Sequence, residues 1–160
     1  MIPLGYSMST LERAIVIAAE AHAGQKDWGG EPYVLHPLRM MLRVSTDDER
    51  IVAVLHDVCE DCPQWTFDRL RQEGFSENTI AALLSVTKRQ GEDYEAFVRR
   101  AAANPIGRAV KLADLNDNAD LSRLKRPPTE REMRTTEKYR RALALIAEIP
   151  VHGLGRGRED

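Results

Sequence analysis

The sequence predicts an all-α protein, a helical bundle, from three observations. Apolar residues recur at the three- and four-residue spacing of helices along most of the chain. Thr46 and Thr129 each stand three positions before a glutamate, which is the spacing of a capping box at a helix start. No segment of strand length alternates between apolar and polar residues, so the sequence contains no candidate β-sheet.

The predicted helices can be followed in chain order. Ser9 and Glu12 cap the first, which runs to about Ala23 with an apolar stripe made of Leu11, Ala14, Ile15, Ala18 and Ala21. The loop GQKDWGGEPY follows, and His36 and Pro37 then open a short helix through Leu42. Further helices are expected at residues 47–61, 66–73, 76–87, 93–103, 105–118 and 129–148, with residues 121–130 as a linker.

Length and charge suggest an ordinary compact protein. The 160 residues suit a single domain at 1–150, followed by a tail at 151–160, including His152, that we expect to be disordered. A net charge of −2 and interleaved acidic residues among the basic ones give no sign of a nucleic-acid partner. No apolar run has the length of a membrane span, and MIPLGYSMST does not resemble a signal peptide. We therefore expect a cytoplasmic protein without a membrane partner, and no pattern specifies an oligomeric state.

The two cysteines form a C-x-x-C at Cys59 and Cys62. A structural zinc site would need a second pair of ligands, and a thioredoxin-like redox site would need a preceding strand in a βαβ unit. The sequence has neither, so we interpret both cysteines as reduced, partly buried thiols.

The segment IVAVLHDVCEDCP places charge directly after an apolar run. On a continuous helix over residues 47–61, His56 stacks on Glu60 and Asp57 stacks on Asp61, in two adjacent columns. Like charges in such a buried position cost several kcal/mol unless they are paired, protonated or bound to a cation. A divalent metal is the simplest compensation. The alternative is an acidic helix end that frays into solvent before Pro63.

A second segment could complete a metal site. In VKLADLNDNAD, Asp114 follows an apolar patch and Asn118 lies one turn further on. A buried helix presenting Asp114 would add an oxygen ligand to those of His56 and Asp57. Mixed nitrogen and oxygen donors suit manganese, iron or zinc.

Several motifs in consistent order resemble a known family. They are AH-x-GQ, G-x-PY-x-x-HP, HD-x-x-ED, VTK and KLAD-x-x-x-N, and they span residues 11–120 with a weaker extension through Tyr139. The chain resembles the HD-domain metal phosphohydrolases, and within them the hydrolase domain of the RelA/SpoT alarmone proteins and their small stand-alone relatives. Those proteins remove pyrophosphate from the 3′ position of the nucleotide (p)ppGpp.

The resemblance implies a metal site and a catalytic pair. His36, His56, Asp57 and Asp114 would bind a divalent metal, normally manganese in this family. Glu60 and Asp61 would be the catalytic pair, because a carboxylate one turn beyond the ligands can orient or deprotonate a water whose pKa the metal lowers.

The resemblance also implies contacts to the nucleotide. Asn118 would contact the sugar or a nearby phosphate, Lys26 and Lys88 would bind phosphate, and Tyr139 would line the pocket. The alternatives are that the lysines are merely solvated and that Tyr139 is a core aromatic residue. We interpret His22 as a structural residue at a helix end that donates to backbone, not as a ligand.

The chain departs from the long bifunctional members of the family at two places. They carry Arg-Lys where this chain has Asp27 and Trp28, and Arg and His where it has Leu115 and Asp117. Because the basic pair holds the guanine nucleotide, these changes put guanine selectivity in question. An HD hydrolase for another phosphorylated compound and a non-catalytic nucleotide-binding regulator are the alternatives to an alarmone hydrolase.

Overall fold

Helices joined by short connections make up the protein, which confirms the all-α fold class. The computed structural model describes residues 8–151, and over that range it contains no strand, only an isolated antiparallel bridge between Lys26 and Pro32. The helices are α1 (Leu11–Ala21), α2 (Leu35–Leu42), α3 (Asp47–Leu55), α4 (Val58–Asp61), α5 (Phe67–Gln72), α6 (Glu77–Val86), α7 (Tyr94–Ala103), α8 (Pro105–Asn118) and α9 (Glu130–Glu148). The predicted tail, with His152, lies outside the described residues, and the division into one domain and a tail stays a prediction.

Most helix starts lie where the sequence predicts them. Thr46 and Thr129 form complete capping boxes, and Asn104 caps α8 with Pro105 at its first position. The start of α1 is different, because Thr10 and not Ser9 accepts the backbone N–H of Arg13. Ser9 instead donates its own N–H to the carbonyl of Gly74 at the end of α5. The cap of α1 is therefore one residue later than predicted, and Ser9 joins the start of α1 to the chain that follows α5.

The linker predicted at residues 121–130 is not wholly irregular. It contains a 3-10 turn at Leu121–Arg123, and the Asp120 side chain caps this turn by accepting the N–H of Ser122. This turn follows directly on α8 and so lies beside the end of the helix that carries Asp114.

The prediction of one helix over residues 47–61 is wrong at its centre. The chain leaves the helix at His56 and Asp57, which separate α3 from α4. The Nδ1 atom of His56 lies 2.8 Å from the carbonyl oxygen of Ala53, so the imidazole occupies a backbone acceptor beside the break. Asp57 then starts α4, with its carbonyl accepting the N–H of Asp61. The predicted stacking of His56 on Glu60 and of Asp57 on Asp61 along one continuous helix is therefore not present.

The core is built around α3. Every residue from Ile51 to Leu55 is buried, and α3 packs against α1, α2, α6 and α8. A second apolar cluster joins α7, α8 and α9 through Val98, Leu115 and Ile146. Because α8 contacts both clusters, its polar residues near Asp114 are held against the end of α3. In the described part of the chain, no helix is both long and apolar enough to cross a membrane.

Close packing of α8 on its neighbours requires a glycine at position 107. A methyl group there would lie 2.1 Å from the Ser85 hydroxyl oxygen and 2.9 Å from the carbonyl oxygen of Ala101. Both distances are shorter than any van der Waals contact, and the second involves backbone that cannot turn away.

We predict that Gly107→Ala destabilises the protein by about 1–3 kcal/mol, although alanine is worth about 1 kcal/mol more than glycine in an unstrained helix. Urea unfolding of the variant and the parent measures the difference. Adding Ser85→Ala should recover part of the loss, because it removes the closer of the two clashes. Unchanged or increased stability of the single variant would contradict this account of the packing.

Candidate functional site

Four side chains implied as metal ligands come together from α2, the α3–α4 break and α8. His56 Nε2 lies 2.8 Å from Asp57 Oδ2 and 3.8 Å from Asp114 Oδ1. His36 Nε2 lies 3.3 Å from the same oxygen of Asp114. His36, His56 and Asp57 each offer one ligand atom, and these three atoms all lie within 4.8 Å of one another. We call His36, His56, Asp57 and Asp114 the ligand cluster.

The protonation of the two imidazoles follows from their other ring nitrogens. His56 Nδ1 faces the Ala53 carbonyl at 2.8 Å and His36 Nδ1 faces Asp117 Oδ2 at 2.7 Å, and both partners can only accept. Each Nδ1 must therefore donate, so each neutral ring turns the Nε2 lone pair toward the cluster.

Lone pairs of nitrogen and carboxylate oxygen that face one another repel unless a cation lies between them. Among the described residues, His56 Nε2 is buried without a hydrogen-bond partner, even though a carboxylate oxygen is 2.8 Å away. Two nitrogen and two oxygen donors so arranged fit a borderline divalent ion. The assignment of these residues as ligands stays a prediction.

The pKa values of the cluster respond to this crowding of charge. Burial opposes charge on His56, but the carboxylates of Asp57 and Asp114 outweigh burial and raise its pKa to about 9. Burial would also raise the pKa of Asp57, yet the neighbouring His56 lowers it to about 2. For Asp114, Lys111 and the histidines overcome burial and hold the pKa far below its usual range. Without a metal, a second proton on His56 offsets part of this carboxylate charge.

Three further residues orient the carboxylates. The sequence analysis did not single out Tyr33 or Lys111, and it predicted that Asn118 contacts the substrate. Tyr33 donates its hydroxyl hydrogen bond to Asp57 Oδ2. Lys111 Nζ, almost fully buried, lies 2.8 Å from Asp114 Oδ2, and Asn118 Nδ2 donates to Asp114 Oδ1 at 2.6 Å. Tyr33 and Lys111 stand inside the motifs G-x-PY and KLAD, so their positions were visible but their partners were not.

The predicted catalytic pair lies on the short helix α4 just after the break. Glu60 Oε1 accepts the backbone N–H of Lys88 at 2.8 Å, which fixes the carboxylate toward the α6–α7 turn. Asp61 is freer, with 39% of its side chain exposed. Burial raises the pKa of both groups, in each case assisted by the charge of Asp57. Raised carboxylate pKa values suit proton acceptors.

Two further residues that the sequence singled out, Lys88 and His22, lie near the predicted catalytic pair. The Lys88 side chain is exposed and does not line the cleft described below, and its backbone N–H donates to Glu60. Its binding of phosphate stays a prediction. His22 does end α1, but it does not donate to backbone through its side chain. Its Nδ1 lies 2.8 Å from Gln25 Oε1 and 3.7 Å from Asp61 Oδ2. The buried ring of His22 therefore connects the AH-x-GQ motif with Asp61 of the predicted catalytic pair.

A cleft of about 330 Å³ opens beside the ligand cluster. Three residues predicted to contact substrate line it, namely Lys26, Asn118 and Tyr139. Trp28 lines it too, and 47% of this residue is exposed. Asp27 is also on the wall, but its Oδ1 accepts the N–H of Glu31, which ties the carboxylate into its own loop. The cleft can therefore offer a ring face and a lysine to a nucleotide.

The two departures within KLAD-x-x-x-N have different surroundings. Leu115 is fully buried in the second apolar cluster and does not line the cleft. Asp117 does line the cleft, and it contacts both His36 and Arg39. Of these two positions, only 117 can therefore influence the site directly.

Arginine contacts fix the turn that presents Lys88 to Glu60. Arg100, on α7, donates to the carbonyls of Leu84 and Thr87 and to both oxygens of Glu92. These bonds join the end of α6 to the turn that follows it. The position of the N–H that binds Glu60 thus depends on an ion pair outside the ligand cluster.

In this all-α fold, the consecutive residues His56 and Asp57 lie next to Asp114 on α8. This arrangement defines the class of HD-domain proteins. No family model matches the chain. It is 34% identical over 120 residues to a guanosine-3′,5′-bis(diphosphate) 3′-pyrophosphohydrolase of Aquifex aeolicus, an alignment covering 68% of this chain and 17% of that protein. It is 30% identical over 162 aligned positions to a probable GTP pyrophosphokinase of Mycobacterium leprae, an alignment covering 93% of this chain and 20% of that protein. The bifunctional (p)ppGpp synthase/hydrolase SpoT of Escherichia coli is 29% identical over 122 residues, covering 68% and 17%.

The chain belongs to the RelA/SpoT-type HD-domain proteins that its motifs resemble. It spans a fifth or less of the length of these curated relatives. Their names divide between a hydrolase and a pyrophosphokinase, so the activity of this chain has to be argued from its site.

We predict that Glu92→Gln lowers the thermal stability at neutral pH and that the difference from the parent vanishes in acid. Hydrogen bonds from Arg100 and from the Arg89 N–H lower the pKa of Glu92 to about 2. A lowered pKa means that the ionised form stabilises the fold fully above the unfolded value of about 4.3, and that this stabilisation is lost as pH falls toward 2. Melting temperatures of both proteins between neutral pH and the acid limit of folding test this.

Glu95→Gln is the matched control, because its partner Arg99 is exposed and lies on the same helix. We expect it to change the melting temperature little at any pH. A gap between parent and Glu92→Gln that stays constant with pH would contradict the assignment of the low pKa.

Proposed function

We propose that this chain is a metal-dependent hydrolase that removes the 3′-pyrophosphate of guanosine polyphosphate alarmones, converting (p)ppGpp to GDP or GTP and pyrophosphate. The observation that carries the proposal is the convergence of the ligand cluster from three elements, with Glu60 and Asp61 immediately beyond it on α4. The similarity to proteins named as ppGpp hydrolases supports the choice of substrate.

In this proposal His36, His56, Asp57 and Asp114 hold one divalent ion, manganese by the resemblance. A bound divalent ion lowers the pKa of water and offsets negative charge on phosphoryl oxygens. The C-x-x-C is not part of this set, because the group of converging ligand atoms contains neither cysteine and Cys62 donates its thiol to the carbonyl of Ala21. Cys59 and Cys62 are both free thiols. Free thiols also fit the reducing cytoplasm, the compartment that we propose.

The two carboxylates on α4 have different tasks. Asp61, partly exposed and with its pKa raised by burial, accepts a proton from the attacking water. Glu60, held by the Lys88 N–H, orients that water. The water oxygen bonds to the phosphorus attached to O3′, the bond from that phosphorus to O3′ breaks, and O3′ leaves as the nucleotide hydroxyl after taking up the proton that Asp61 accepted. Pyrophosphate is the second product.

The cleft is the proposed nucleotide site. Lys26 would meet phosphate, Asn118 would lie near the sugar while it supports Asp114, and Tyr139 would form a wall. Trp28 offers its ring face to the base. Stacking on such a ring is worth about 1–3 kcal/mol and does not distinguish one purine from another.

A hydrolase for another nucleotide is the second candidate, and the cleft supplies the observation that favours it. Where the long bifunctional relatives have two cations, the wall here carries Asp27 and the ring of Trp28. A regulator that binds nucleotide without turnover is less well supported, because such a protein has no use for Glu60 and Asp61 beside a ligand cluster.

We predict that Glu60→Gln and Asp61→Asn each lower turnover of ppGpp at least about a hundredfold while fold and metal binding persist, because Asp61 accepts the proton of the attacking water and Glu60 orients that water. Pyrophosphate release with Mn²⁺ present measures turnover, and circular dichroism with a metal titration checks the rest. Asp68→Asn, on exposed surface of α5, is the matched control and should retain the parent rate.

Absence of turnover by the unaltered chain over a panel of nucleotides would contradict the proposed reaction. Metal loss in Glu60→Gln or Asp61→Asn would identify the altered residue as a ligand instead, and near-normal turnover would remove its catalytic role.

We predict weak base discrimination, with ppGpp and its adenine analogue hydrolysed within about tenfold of each other in kcat/KM, a gap of roughly 1.4 kcal/mol. The physical reason is that the ring of Trp28 lines the cleft and cannot identify the base edge. Trp28→Ala should lower kcat/KM for both substrates, and Trp28→Phe, the matched control, should retain most of it. A guanine preference above about a hundredfold that survives Trp28→Ala would contradict this prediction.

A further inference from the structure

Asp117 is the most deeply buried carboxylate beside the ligand cluster. It lies on α8, and its side chain is 0% exposed. It is separated from Asp114 by less than one helical turn, so both carboxylates emerge from neighbouring parts of the α8 surface. An ionised group at such depth needs a partner at each oxygen.

One oxygen of Asp117 binds a proposed metal ligand. Its Oδ2 lies 2.7 Å from Nδ1 of His36, whose other nitrogen faces Asp114. As long as Asp117 is ionised, the ring can only donate from Nδ1, and this leaves Nε2 with its lone pair directed into the cluster. A ring turned over by half a revolution would lose this bond.

Arginines keep the charge on Asp117. Arg39 donates from Nε to one oxygen and from Nη2 to the other, both at 2.9 Å. Arg123 reaches the carboxylate at 3.4 Å and the backbone carbonyl of the same residue at 3.0 Å, and Arg43 comes within 3.6 Å. His36 and Arg39 are three positions apart on α2, so one carboxylate on α8 binds two side chains from the same face of α2.

We infer that Asp117 is a positioning residue that fixes the tautomer and orientation of His36 for metal binding. The inference rests on the metal site of the proposed function and adds to it a residue that acts through His36. The carboxylate also makes the imidazole a stronger donor, because its negative charge stabilises the positive charge that develops on a ring bound to a cation. Carboxylates that orient ligating histidines in this manner typically contribute about 10–100-fold to metal affinity.

A purely structural role of Asp117 leads to a different expectation. If Asp117 only clamps α2 against α8, its loss lowers stability but leaves the affinity of the folded protein for metal unchanged. Metal affinity and the tautomer of His36 therefore separate the two roles, and stability does not.

The experiment is a zinc titration by calorimetry of the unaltered chain, Asp117→Asn and Asp120→Asn. Asp120 is the matched control, since it also pairs with Arg123 but has no contact with His36. We expect Asp117→Asn to bind Zn²⁺ about 10–100-fold more weakly and Asp120→Asn to bind as the parent does. Nitrogen-15 spectra of the imidazoles in the unaltered zinc-loaded chain should give His36 a protonated Nδ1, which needs no variant to fold.

Equal zinc affinity of the parent and folded Asp117→Asn overturns the inference and leaves the proposed function standing. A protonated Nε2 on His36 in the zinc-loaded parent overturns it as well, even if Asp117→Asn fails to fold. Failure of the unaltered chain to bind zinc or manganese overturns the proposed metal site and this inference together.

Discussion

Two imidazole lone pairs and two carboxylates directed at one small volume are the constraint on which the rest of the structure depends. The Nδ1 atoms of His36 and His56 are both committed to acceptors, so each neutral ring directs its Nε2 lone pair at the carboxylate oxygens beside it. Such an arrangement is unfavourable in a buried site unless protons or a cation occupy its centre. A bound ion uses every one of these contacts, whereas a proton uses only some.

The fold supplies what this arrangement needs. The apolar α3 anchors the site at the centre of the core, and its interruption at His56 turns the ring toward the Ala53 carbonyl. Outside the ligands lies a shell of donors in which Lys111 and Asn118 hold Asp114, and Tyr33 holds Asp57. These bonds cost side-chain entropy and leave each carboxylate little freedom, which favours a preformed site over one assembled by the ion.

Local patterns predicted most of the fold, and tertiary contacts account for the rest. Capping boxes and the Asn104-Pro105 start were readable because they join residues three or four positions apart. The break in the helix over 47–61 was not, because a helical wheel assumes continuous hydrogen bonds and ignores an imidazole that binds the Ala53 carbonyl. At the site, the motifs predicted which residues meet, but Asp117 pairs with His36 across 81 positions, and no local pattern contains that information.

A titration with Mn²⁺ tests the central claim most directly, because it asks whether the converging donors exist to hold an ion. Calorimetry on the unaltered chain and on a variant that combines His36→Gln with His56→Gln would measure stoichiometry and affinity. The account predicts one ion per chain in the parent and loss of that binding in a folded variant, since two of four donors are gone. Absence of binding in the parent, or an ion retained with unchanged affinity after both histidines are replaced, would contradict it.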